Sequence, residues 1–74
     1  MNVLVDESAL RKAIQASGLK QYKIAKLMGL STYGLFKKIT GITEFKGSEI
    51  VKICEILNLD NKQRENIFFG QDVD

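Results

Sequence analysis

Apolar residues recur along this chain at the three- and four-residue spacing of a helix face, in five segments parted by glycines or capping residues. The first runs from about Asp6 to Ser17, with Leu10, Ala13 and Ile14 on one face. Asp6 or Ser8 is its expected N-cap, and Gly18 suits the left-handed position past its end. The second, Gln21 to Met28, turns Ile24, Leu27 and Met28 inward and stops at Gly29. The third opens with Ser31 as N-cap before Thr32, buries Leu35 and Ile39, and ends at Gly41. The fourth begins near Ser48 with the stripe Ile50, Ile53, Cys54 and Leu57, widened by Val51 and Ile56. The fifth starts at Asp60, where Gln63 completes a capping box, and carries Ile67, Phe68 and Phe69 before Gly70. Two adjacent phenylalanines cannot both face inward on a helix, so one is available for a dimer contact. Strand-like alternation is confined to Met1–Val5, too short to make a sheet. The pattern predicts an all-α fold: a compact five-helix domain spanning residues 1–74 as a single unit.

Composition narrows the function classes. With 74 residues the chain is near the lower size for a domain without staples, and its one cysteine, Cys54, excludes an intramolecular disulfide. That thiol lies on an inward stripe and is expected to be core, which suits a reducing, cytoplasmic setting. Histidine is absent, removing the commonest general base and metal ligand, so no metal and no cofactor is expected. No acid pair, nucleophile–base set or phosphate-cradling glycine loop stands out, and an enzyme is the weakest expectation. No apolar run has the length of a membrane span, and the first residues lack a secretory-signal layout.

The net charge of +2 is unevenly spread. Arg11, Lys12, Lys20, Lys23, Lys26, Lys37, Lys38 and Lys46 face only one carboxylate, Glu44, between residues 11 and 46. From residue 47 onward acids outnumber bases. Such polarity is the footprint of a polyanion partner or, equally, of an ordinary solvated lysine-rich surface.

Residues Gln21 to Thr40 carry the sharpest signal. Two short helices are parted by Gly29, Leu30 and Ser31, with small Ala25 on the first and apolar Leu35 on the second. Crossing two short helices closely needs a tiny side chain at the contact, a turn residue tolerating positive φ, and apolar anchors on both. The stretch from Gln21 through Gly41 resembles the lambda-repressor-like (Cro and repressor, XRE-type) helix-turn-helix family of phage and bacterial regulators. The likeness spans nearly the whole chain, and Lys37-Lys38-Ile39, Gly41, Glu44-Phe45, Glu49-Ile50 and Ile67-Phe68-Phe69 are similar to a phage-associated Cro-like subset.

The resemblance implies sequence-specific binding of double-stranded operator DNA, as a homodimer, by a cytoplasmic transcriptional repressor. It implies a phosphate contact at Gln21, base contacts at Thr32 and Tyr33, and a base or phosphate contact at Lys37. Thr40, Thr43 and Lys46 would touch the DNA backbone. Tyr22 either stacks on the sugar-phosphate backbone or covers the first helix. Gly34 either allows close approach to DNA or is merely tolerated in a packed helix. Phe36, at the border of the core face, is read as packing. Departures from the family are Lys20, where a threonine or serine cap is usual, and Lys38, where many members are apolar. Lys38 is counted with the DNA-facing set, its stem lying along the core and its ammonium reaching out. Ile14 and Ile39 stand where many members pair a buried arginine with a glutamate, and are expected to touch. Two other readings keep the fold and change the partner: a protein-binding modulator such as an antirepressor, and an antitoxin.

Overall fold

In the computed structural model, residues 5–69 are described, and they form α1 (Glu7–Ser17), α2 (Gln21–Met28), α3 (Thr32–Ile39), α4 (Gly47–Ile56) and α5 (Asn61–Arg64). The last helix widens into a π-helical turn over Glu65–Phe69. No strand occurs among the described residues. Of the expected strand segment, only Val5 is among them, partly buried against the core.

Local chemistry sets the helix ends. The Asp6 carboxylate accepts the Ala9 N–H at 3.1 Å, and the Ser31 hydroxyl accepts the Gly34 N–H at 2.9 Å. At α5 the capping box is reciprocal: Asp60 Oδ1 accepts from Gln63 N–H at 2.8 Å, and Gln63 Oε1 from Asp60 N–H at 3.0 Å. The turn after α2 is a Schellman closure. Gly29 sits at φ 73°, its N–H reaches Lys26 O at 3.1 Å, and the Leu30 N–H reaches Ala25 O at 2.9 Å. A side chain with a Cβ would strain that left-handed conformation, so glycine lets the chain re-enter a helix after only three residues, 29–31.

The helices converge on Leu10, Ile24, Leu35, Ile39, Ile53 and Phe68, each essentially inaccessible to solvent. Full burial of such a side chain is worth about 1.5–3 kcal/mol. Around this core α2 packs against α3 and α4, while α1 packs against α3 and the π-helical turn. The Asp6 N–H donates to Ile67 O at 2.8 Å, tying the start of the described chain to its end. Phe45 meets Phe68 edge-on at 5.3 Å and pins the loop between α3 and α4. Ile14 and Ile39 both join the core, on the mutually packed α1 and α3.

Several expected core positions differ: Ala13, Ile50 and Cys54 are only half-buried. Leu27 is exposed, and Ala25 is buried in its place. Wedged between α3 and α4, α2 buries the arc Ile24–Ala25–Met28, and Leu27 falls just outside it. Val51 is likewise exposed on α4, and Ile56 is only half-buried. The adjacent phenylalanines divide, with Phe68 buried and Phe69 exposed.

Candidate nucleic-acid interface

α3 spans two turns and its two sides have separate duties. Leu35 and Ile39 face the core, which leaves Thr32, Tyr33 and Phe36 exposed and Lys37 half-buried at the edge of the outer face. Tyr33 is 65% exposed, so the core does not claim it. Its ring stacks on Phe36 with centroids 6.0 Å apart and an interplanar angle of 17°. The Lys37 ammonium lies 5.2 Å from the Tyr33 ring centroid, in cation–π range. Outer residues of α3 thus form an aromatic plate with one cation over the Tyr33 ring.

Gly34 sits between these two sides. A Cβ there would meet Ser31 Oγ at 3.0 Å, and that same hydroxyl accepts the Gly34 N–H. Glycine therefore leaves room for the cap that starts α3, a role separate from either expected one.

Lys38 departs from the expected outward set. Its ammonium is 3.0 Å from Glu49 Oε1 and donates to Glu44 O at 2.9 Å, with the lysine side chain only 12% exposed. Its charge is spent inside the protein, and it is withdrawn from the group that can meet a polyanion. Burial raises the Glu49 carboxyl pKa, but the Lys46 backbone N–H, the Lys38 hydrogen bond and the charges of Lys38 and Lys46 outweigh it. The carboxyl is held below the ordinary carboxylate value. Glu49 also caps α4 by accepting the Lys46 N–H at 2.8 Å.

Thr40 is committed in part. Its hydroxyl donates to Phe36 O at 2.9 Å, so only its oxygen lone pairs remain, and these cannot donate to a phosphate. Thr43 and Lys46 are exposed in the stretch after α3, where Gly41, at φ 87°, and Ile42 close the helix onto Lys38 O and Lys37 O. The Ile42 side chain is exposed as well.

At the other helix, Gln21 opens α2 and Tyr22 follows it, half-buried and exposed respectively. Lys20 supplies no side-chain cap, so the first N–H groups of α2 point outward from the positive end of the helix dipole. Lys20, Lys23, Lys26 and Lys46 are all exposed. The structure therefore brings Thr32, Tyr33 and Lys37 together on one face of α3 and leaves Gln21 and Tyr22 at the open start of α2.

A family model described as "Protein of unknown function (DUF739)" matches residues 5–71. The chain belongs to this family. No curated protein matches it. The DUF739 match takes in every element of the fold and all the exposed groups just described.

Within this DUF739 domain the pattern of apolar residues missed Phe36 as a surface group. Its spacing of three from Tyr33 was the available signal, since that places both on one strip of the helix. Elsewhere the chemistry is subdued. Burial pushes the Cys54 thiol up, and nearby Arg64, pulling it down, does not compensate. The group stays a protonated, half-buried packing residue. No helix among the described residues is long and apolar enough to cross a membrane.

Proposed function

We propose that this domain is a sequence-specific double-stranded DNA-binding protein of helix-turn-helix type, acting in the cytoplasm as a transcriptional regulator of Cro and repressor kind. One observation carries the reading: α2 and α3 pack against each other across the three-residue turn at Gly29, with small Ala25 buried on α2, and the outer face of α3 stays unburied while its inner face is in the core. A helix so held can enter a major groove while its partner helix lies across the phosphate backbone. Exposed Lys20, Lys23, Lys26 and Lys46, with Lys37, supply the positive charge that positions the domain. Gln21 and the open N-terminus of α2 offer phosphate donors. A homodimer would present two copies of α3 to a two-fold related operator.

Titration of the protein against labelled duplex DNA at several salt concentrations tests the proposal. Binding whose logarithm falls linearly with the logarithm of salt, with at least one duplex preferred over random sequence, supports it. Absence of duplex binding at low salt rejects it. The exposed aromatic plate gives the protein-binding modulator its one specific support, because aromatic side chains are favoured at protein interfaces. In that case the chain would bind another regulator and show no duplex preference.

A further inference from the structure

The DNA reading leaves open which base-pair feature the outer face of α3 recognises. The composition of that helix narrows it sharply. α3 is Thr-Tyr-Gly-Leu-Phe-Lys-Lys-Ile and holds no arginine, asparagine, glutamine, aspartate or glutamate. It therefore lacks the forked side chains that take guanine or adenine by paired hydrogen bonds, and the carboxylates that accept from cytosine. One of its two lysines, Lys38, is bound to Glu49 and Glu44. The other, Lys37, leans over the Tyr33 ring. What the helix does present is apolar surface: the stacked rings of Tyr33 and Phe36, with Thr32 in the same exposed first turn. In the major groove only one base feature is apolar, the C5-methyl group of thymine.

We infer that the Tyr33–Phe36 plate reads thymine methyl groups, making these two residues the specificity determinants of the domain. The inference rests on the DNA-binding proposal above. Stacking favours this arrangement of the rings before binding, which lowers the side-chain freedom lost when a methyl group settles on it. The Lys37 cation, over the Tyr33 ring, is near enough to meet a phosphate or a guanine beside the thymine. Exposed aromatic area on a helix without amide, guanidinium or carboxylate side chains is thereby given a use that hydrogen bonding does not supply.

The test selects duplexes from a random-sequence library with the wild-type protein, then replaces the thymines of a selected site one at a time by uracil. Uracil keeps the pairing and removes only the methyl group. The expected result is a thymine-containing half-site in which one or two replacements each weaken binding about four-fold, the worth of one buried carbon group. That penalty should shrink toward none in Phe36→Ala and Tyr33→Ala. Three results overturn the inference while leaving DNA binding intact: a selected site without thymine, no uracil penalty at any position, or an undiminished penalty in both variants. The uracil arm uses unmodified protein, so a missing penalty overturns the inference even if a variant folds poorly. Failure to enrich any duplex, with no binding at low salt, instead removes the DNA-binding proposal itself.

Discussion

The ammonium of Lys38 lies 3.0 Å from the carboxylate of Glu49, joining the end of α3 to the first turn of α4 across a loop of seven residues, 40–46. Both side chains are mostly buried, so the pair is better shielded than a surface ion pair, and removing one partner strands the other. Glu49→Gln should destabilise the domain at neutral pH by about 1.5–3 kcal/mol, the range for a hydrogen bond to a charged group. The pH dependence has a definite sign. The folded-state pKa of Glu49 is depressed, so its contribution is complete above the ordinary carboxylate pKa and is lost as pH falls through the lower folded value. Urea midpoints of wild type and Glu49→Gln should therefore differ at neutral pH and converge in acid. A constant gap across that range would show that the charge of Glu49 is irrelevant.

The cap of α3 makes a second prediction. Ser31→Ala removes the hydroxyl that accepts the Gly34 N–H and should cost about 1 kcal/mol. Gly34→Ala should gain helix propensity of about 1 kcal/mol but crowd Ser31 Oγ at 3.0 Å. The two changes are therefore coupled: Gly34→Ala should stabilise more in the Ser31→Ala background than in wild type. A double-mutant cycle measured by urea unfolding checks this, and strict additivity would show that the hydroxyl does not constrain position 34.

The core yields a simpler expectation. Ile39 is 1% exposed and Ile14 is 9% exposed. Ile39→Ala should cost about 2–5 kcal/mol and Ile14→Ala should fall at the lower end of that range. For so small a domain either loss is a large share of the total stability, and thermal unfolding will register it as a lowered midpoint. Equal tolerance of both substitutions would contradict their burial.

Glycines and caps made the helix limits readable from the chain. Asp6, Gly18, Gly29, Ser31, Gly41 and Asp60 each act by local hydrogen bonding or by allowing one backbone conformation, and neighbouring residues suffice to judge them. Positions decided by packing were less readable. Leu27 has the spacing of a core residue, but whether it is buried depends on where α3 and α4 press on a two-turn helix. Lys38 looked outward because its partner, Glu49, is eleven positions away on another helix. Phe36 sits at the border of the inner face: its spacing of three from Tyr33 allows the pairing, and packing decides that its ring turns outward to make it. At Gly34 the deciding neighbour is the side-chain oxygen of the preceding cap, whose rotamer the residue types do not specify.

Charge accounting separates the lysines. If Lys20, Lys37 and Lys46 touch phosphates, changing each to glutamine should lower the magnitude of the log–log salt slope by about one. Lys38→Gln should leave that slope unchanged while lowering folding stability, because its ammonium is already paired with Glu49. Anisotropy titrations of the four single variants, each at several salt concentrations, give the comparison. A slope change at Lys38 equal to the others would mean that its ion pair opens on DNA.

Tyr33 separates reading DNA from merely touching it. At 65% exposure its ring contributes little to the core, and it interacts with Phe36 and Lys37 on the same helix face. Tyr33→Ala should change folding stability by no more than about 0.5 kcal/mol, as is usual for an exposed site. As a base-reading residue it should nevertheless cost about 1–3 kcal/mol on a preferred duplex and almost nothing on random DNA. Parallel titrations on the two duplexes, with a urea curve as the folding control, measure all three quantities. Equal losses on both duplexes would make Tyr33 a backbone contact. Unchanged DNA affinity with loss of a protein partner would assign this face to protein binding. A loss confined to the preferred duplex, with folding intact, assigns base reading to the face that Tyr33 forms with Phe36 and Lys37.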